Sequence, residues 1–397
     1  MHTLNIYEDL TGPNLSPEAW RGLSAIKPSH LLPNLQSLEW YSTTDTFPHI
    51  DLFQSPQLTS LKVRVIANIP NVVPILALLR VETLEEVRFL DLSGDRDVQD
   101  AISNLVLRTT ATLRSIEVSS DLSDAAIRHI TRLPNLSDAS LISVNLDRLT
   151  ATSETSFASL RTLETGVDSR GGWKCLLEDA RNLESIVLNS LTALHPDEVV
   201  DAFGFLINKG FHRTMRRLSF AAAEPCDITP PVLAPLLNFG CLTRLSVSPP
   251  CDPTRCTSQL TNDTLAQLAG ALPQLVELVL GNVPCGSPAP GVTLAGLLPL
   301  SVHCAQLETL QVHFNVLPTD IQDGALSEPS DQAPLSLSRC HLTQIVVGQL
   351  PIPTTAKSPL IVAHIIYRMF PRLSRVVHTV GDSPWKEVRE TIGTFRR

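Results

Sequence analysis

Apolar positions recur along this chain in the order L-x-x-L-x-L, where x is variable. Thirteen copies are present, with first anchors at Leu35, Leu58, Leu84, Leu113, Leu136, Leu160, Leu183, Met215, Leu242, Leu275, Leu307, Leu342 and Leu373. Successive first anchors lie 23 to 35 residues apart. The later anchors of each copy alternate with mostly polar or small residues, the period-two mark of a strand with one buried face. Between copies the spacing changes. From Ala111 to Val144, Leu113-Arg114-Ser115-Ile116-Glu117-Val118 predicts a strand, and Asp121 and Ser123 supply turn and N-cap chemistry. Ala126, Ile127, Ile130 and Leu133 then predict a short amphipathic helix that Pro134 ends. Similar hinges precede strands at Leu32-Pro33, Leu272-Pro273 and Phe370-Pro371. A strand–turn–helix–turn unit repeated at this period predicts a stacked α/β solenoid, in which no repeat buries its apolar face alone. Parallel strands joined by helical crossovers wind right-handed. Helices are wider than strands, so a horseshoe is expected, with parallel strands on the concave face and helices on the convex face.

The two ends extend the pattern. Leu4 and Ile6 occupy the places of the last two anchors, so a partial repeat precedes the first full one. Ser16 fits a helix N-cap with Pro17 at the first helical position, and Leu15 and Trp20 fit the staple pair across that cap. Met1 falls where a preceding cap is expected, which reads as an N-terminally truncated product. Near the other end Pro384 opens a final helix whose Trp385, Val388, Ile392 and Phe395 share one face. Residues 383–397 are therefore expected to cap the last repeat. On this reading residues 1–397 form a single solenoid of thirteen repeats plus the partial first one.

Composition narrows the partners. The chain is 43% hydrophobic but only 5% aromatic, so leucine and valine build the core. A formal charge of -9 argues against nucleic acid or an anionic membrane as the main partner. No apolar run approaches the roughly 18 residues of a membrane-spanning helix. The first residues lack a secretory signal, so the eight irregularly spaced cysteines read as reduced thiols of a cytoplasmic or nuclear protein. Cys251 and Cys256 form a C-x4-C pair with no second pair to complete a metal site. Phosphate-loop, dinucleotide, nucleophile-elbow and zincin motifs are absent. His195, His212, His303 and His313 read as having no paired carboxylate at helical spacing. No catalytic residue, cofactor or metal is assigned, and an enzyme is not expected.

The L-x-x-L-x-L strands with helical return legs resemble the leucine-rich repeat superfamily, in its ribonuclease-inhibitor-like α/β form. The resemblance covers nearly the whole chain and implies a surface for protein ligands. It departs from the family pattern eight residues after the first anchor. Asn or Cys is expected there, and Asp121, Val144, Asp168, Leu191 or Pro250 stands instead. The turns are therefore expected to be irregular and individually solved. Leu32 to Trp40 and Ser55 to Leu61 are further similar to the repeat regions of fungal F-box-like proteins. That second resemblance implies the substrate-recognition region of a ubiquitin ligase receptor, although no F-box is visible in this sequence. The alternative is a free-standing scaffold or inhibitor unrelated to ubiquitin.

Strand alternation selects the candidate binding residues. Those between the anchors face away from the core and include Tyr41, Lys62, Arg64, Arg88, Glu117, Asp138 and Glu164. Lys62, Arg64 and Arg88 make a basic knot on adjacent strands, and the three acids follow on the next three. A groove with this charge dipole suits a protein ligand of opposite pattern. Long insertions at Ser248 to Leu260, Asn282 to Val292, Leu317 to Leu337 and Gln349 to Pro359 are expected to form rim loops, a second candidate surface. A monomer is expected.

Overall fold

The computed structural model describes residues 3–7, 16–25, 31–42, 47–65, 72–91, 94–142, 144, 146, 157–167, 171–190, 192, 194–226, 228–250, 259–281, 291–318, 339–347, 352, 358–378 and 384–395. Internal contacts divide the chain into two compact units, Met1–Leu183 and Glu184–Arg397.

Strands of the first unit are β1 (Thr3–Tyr7), β2 (Ser37–Ser42), β3 (Ser60–Val65), β4 (Glu86–Asp91), β5 (Ser115–Val118), β6 (Asp138–Leu141) and β7 (Thr162–Val167). They pair in chain order and all run parallel. Its helices are α1 (Pro17–Ala25), α2 (Val72–Leu78), α3 (Arg96–Val106), α4 (Asp124–Thr131) and α5 (Gly172–Leu176). Register keeps like places together. Leu38, Leu61, Val87, Ile116, Ala139 and Leu163 form one row, and Trp40, Val63, Phe89, Val118, Leu141 and Thr165 the next. No member of either row is more than 2% exposed. Leu4 and Ile6 fall into the same rows, opposite Leu38 and Trp40.

The second unit repeats the plan with β8 (Ser185–Ser190), β9 (Arg217–Ala222), β10 (Arg244–Val247), β11 (Glu277–Leu280), β12 (Thr309–Val312), β13 (Gln344–Val347) and β14 (Arg375–His378). These too are parallel and in chain order. Helices α6 (Pro196–Asn208), α7 (Pro230–Leu233), α8 (Asn262–Ala271), α9 (Leu298–His303), α10 (Ser358–Met369) and α11 (Pro384–Phe395) connect or follow them. In α11, Trp385, Val388 and Ile392 are buried, while Phe395 stays partly exposed beside Tyr367 and His364.

Within each unit one backbone contact joins each full repeat to the next. The residue after the first anchor offers its carbonyl to two consecutive amides of the following repeat. Gln36 O accepts from Thr59 N at 2.9 Å and Ser60 N at 3.0 Å. Thr59 O then accepts from Glu85 and Glu86, and Glu85 O from Arg114 and Ser115. In the second unit Glu184 O, Arg216 O, Thr243 O, Val276 O, Glu308 O and Thr343 O each receive the same amide pair at 2.7–3.1 Å. Hydroxyls reinforce five steps, where Thr59, Ser137, Thr243, Thr343 and Ser374 donate to the carbonyl their own amide uses. This staircase needs no particular side chain. Successive turns are thus tied by main-chain bonds at the start of each strand. Further donors brace the hinges one by one. Ser55 Oγ, Asn135 Nδ2 and Ser159 Oγ each reach a carbonyl of the preceding turn at 2.6 Å.

Helix starts follow the expected capping chemistry. Ser123 accepts from Ala126 N at the head of α4, and Ser16 accepts from Ala19 N at the head of α1. The structure corrects the reading of His195 as lacking a paired carboxylate. Its side chain accepts from Asp197 N, and Glu198 reaches back to its backbone amide at 2.7 Å, closing a capping box on α6. The pairing is structural, because both groups satisfy amides that a helix start leaves open. At the other end of α6 the chain turns out through Gly210 at φ +82°, where a Cβ is strained. Leu15, Asp168, Leu191, Cys251, Cys256 and most of the four long insertions lie outside the described residues.

Because each anchor row is closed to water, Leu218→Asp or Leu245→Asp is expected to cost about 4 kcal/mol or more and to melt the neighbouring repeats. Thermal melting and amide exchange check this; wild-type melting of either variant would contradict the register.

Candidate interaction surface

The strand face opposite the anchors presents three rows of half-buried side chains in the first unit. The middle row runs Glu39, Lys62, Arg88, Glu117, Ser140, Glu164. One place earlier along the strands lies the row Ser60, Glu86, Ser115, Asp138. One place later Tyr7 faces Tyr41, and Tyr41 faces Arg64. All seven sequence-predicted residues therefore lie on one face, but in three rows. Lys62, Arg88, Glu117 and Glu164 share the middle row. Asp138 is displaced from the other two acids, with Ser140 filling the gap.

The basic knot is interleaved with acid. Glu86 lies between its two middle-row cations, 3.6 Å from Lys62 Nζ and 2.9 Å from Arg88 Nε. Arg88 Nη1 continues to Glu117 at 3.1 Å, and Ser60 Oγ donates to the second Glu86 oxygen at 2.8 Å. Burial pushes the Glu86 carboxyl up, but the Ser60 hydroxyl, Lys62 and Arg88 outweigh it and hold it below its ordinary value. The acidic residues are also engaged. Asp138 accepts from Ser137 Oγ at 2.6 Å and Glu164 from Ser140 Oγ at 3.1 Å. Strand alternation also puts Glu86 on this face, though alternation alone does not say what it pairs with. The register gives the signal, since its place lies diagonally between Lys62 and Arg88 on adjacent strands.

Arg64 is held differently. Its guanidinium carbon stacks 4.3 Å from the centre of the Tyr41 ring, and that ring lies 5.8 Å from the ring of Tyr7. Among the described residues no carboxylate reaches Arg64, and its Nε is buried without a hydrogen-bond partner. The Tyr7 hydroxyl is hydrogen-bonded to Glu39, and Tyr7 is 57% exposed. A rigid aromatic–cation step therefore stands beside an ion network that neutralises itself.

Parallel strands in chain order, anchor rows in register and helices on the buried side now fix the architecture. In each unit the fold is a stacked α/β solenoid built on the leucine-rich repeats of the sequence. No family model matches the chain, and no curated protein matches it. Among solved structures, a leucine-rich-repeat protein of Leptospira interrogans aligns over 91% of this chain and 92% of its own, at 14% identity and a TM-score of 0.34.

Elsewhere in the solenoid two buried polar features bear on stability. Cys304 and Cys340 are fully buried at successive hinges, and their thiols donate to carbonyls of the preceding turn. Burial, with Cys340 nearby, pushes the Cys304 thiol up to about 12, so it stays protonated. His313 follows β12, 6% exposed, with its Nε2 unpartnered and its pKa lowered by burial. Among the described residues no group of His, Cys, Asp or Glu is arranged to hold a metal ion, and no helix is long and apolar enough to cross a membrane.

Two pH effects follow. Glu86 titrates lower when folded than when unfolded, so its contribution is present at neutral pH and lost as pH falls below the ordinary carboxylate range. Glu86→Gln should cost about 1 kcal/mol at pH 7, with the difference from wild type vanishing in acid melts. His313 is also lowered, but here the folded state holds the neutral form. Stability is full above the unfolded histidine pKa and falls as pH drops through it. His313→Leu should flatten the stability profile between about pH 7 and pH 5, as read by urea titration at each pH.

Proposed function

We propose that this chain is a protein-interaction solenoid that takes a protein ligand on the open strand face of its first unit. The observation that carries the reading is the Tyr7–Tyr41–Arg64 step beside the Lys62–Glu86–Arg88–Glu117 network. Tyrosine and arginine are enriched among the residues that dominate binding energy, because they offer large rigid contact area with a polar handle. The step supplies such an anchor. The network supplies register, since a partner whose charges oppose its alternating pattern is favoured over one displaced by a strand. Neutralised within itself, it gives orientation more than affinity. Helix α11 serves as the cap of the last repeat, and the solenoid works as a monomer in the cytoplasm or nucleus.

The finer reading is the substrate-recognition region of an F-box-like ubiquitin ligase receptor. It is supported by the segments Leu32 to Trp40 and Ser55 to Leu61, which resemble the repeats of such proteins. A scaffold or inhibitor without a tie to ubiquitin has the same surface and is the second reading.

Affinity capture from native extract, with partners read by mass spectrometry, tests both levels. A specific partner should be weakened roughly tenfold or more by Tyr41→Ala and by the Lys62→Glu/Arg64→Glu/Arg88→Glu triple variant. Partners bound equally by both variants would move the site off this face. Co-capture of a cullin-type ligase adaptor by the product of the native gene would support the receptor reading, and capture of the partner without it would favour the scaffold.

A further inference from the structure

The second unit carries a charge cluster that the ligand face described above does not include. Its strands start from turns that lie side by side, and the residues of those turns are fixed by the carbonyl staircase. Arg216 N donates to Glu184 O at 2.7 Å, and Thr243 N and Thr243 Oγ1 donate to Arg216 O at 2.8 and 3.0 Å. Above this backbone floor opens a groove of about 290 Å³, lined by Arg213, Arg216, Thr243, Cys241, Gln274 and Glu184. Arg217 and Arg244, the first residues of β9 and β10, pair with one another across the strands and directly follow the lining residues Arg216 and Thr243 in the chain. Two arginines thus line the groove and two more adjoin its lining in sequence. Arg244 meets Glu277 at 3.9 Å, a long and exposed pair. Among the described residues no carboxylate lies within ion-pair distance of Arg213, Arg216 or Arg217.

An excess of unpaired guanidinium on a chain of formal charge -9 needs a reason. Like charges on adjacent strands repel, so folding alone gains nothing from this arrangement. Guanidinium groups offer planar forks of donors that match carboxylate oxygens two at a time. The groove has room for one or two side chains, with the Gln274 amide and the exposed Cys241 at its wall.

We propose that this groove is a docking site for an acidic protein segment, one of whose carboxylates is clamped by Arg213 and Arg216 while a neighbouring acid meets Arg217. The same guanidinium forks fit a phosphoryl group, so a phosphoserine segment is the competing occupant. The overall acidity of the chain disfavours a nucleic-acid strand, whose long charged backbone would run beyond the cluster. This site is separate from the ligand face of the first unit and stands whether or not that face binds.

The test uses the full chain and three labelled probes: a glutamate-rich peptide, the same peptide with phosphoserine in place of glutamate, and single-stranded DNA. Fluorescence anisotropy should show binding of the glutamate peptide that weakens as salt rises. Arg213→Glu/Arg216→Glu should lower that affinity roughly tenfold or more, and Arg80→Glu/Arg96→Glu, at two exposed positions away from both surfaces, should leave it unchanged. The four positions are surface ones, and a wild-type circular dichroism melt confirms folding of each variant. As a second reading on the wild-type protein, saturating glutamate peptide should slow alkylation of Cys241 and leave that of Cys175 unchanged. Absence of glutamate-peptide binding, equal binding by the Arg213→Glu/Arg216→Glu variant, preference for the phosphoserine peptide or DNA, or unslowed Cys241 alkylation would each overturn the proposal.

Discussion

Within each unit, two amides of a repeat converge on a single carbonyl of the full repeat before it, and the strand register depends on that contact. It is made at the start of the strand, where it ties the register of one repeat to the next. A one-place slip would turn the anchors Leu218 and Leu245 to water and Arg217 and Arg244 into the core, at a cost no local change could offset. Because donors and acceptor are all main-chain, the contact tolerates Gln36, Thr59, Glu85 and Arg114 at the same place. Where that residue is Thr or Ser, its hydroxyl adds a third donor to the same oxygen.

The fold was legible in the sequence because its two periods are set by geometry that side chains cannot evade. A parallel strand buried on one face demands an apolar residue at every second place, and a short return helix demands one at every third or fourth. The second and third anchors of all thirteen predicted sets lie on strands, and even Leu4 and Ile6 fall into register. The way the turns are held was not legible. Those bonds run from backbone to backbone, or from hydroxyl, amide and thiol groups at shifting positions such as Ser55, Asn135 and Cys304, and so leave no constant letter in the sequence.

The candidate surface was half legible. Alternation put Tyr41, Lys62, Arg64 and Arg88 on the open face, but the sum of charges on a strand says little about which pairs form. Pairing depends on the diagonal between neighbouring strands, and the Glu86 diagonal ties Lys62 and Arg88 while leaving Arg64 to stack on Tyr41. Capping at His195 escaped for a similar reason. The residue was read as a side chain in search of an acid, whereas Glu198 serves its backbone amide.

The hinge thiols and hydroxyls add one more property. Since the staircase is blind to sequence, the backbone part of the joint is the same at every full repeat within a unit, while the side-chain braces differ from hinge to hinge. A duplicated or deleted strand–helix unit would meet the same backbone carbonyls at its seam and would lose only the braces particular to that hinge. Such a chain can lengthen or shorten its surface by recombination within its own coding sequence, while point substitution at the open-face places adjusts what that surface holds. Repeat spacings from 23 to 35 residues within one chain are what this permissive joint allows.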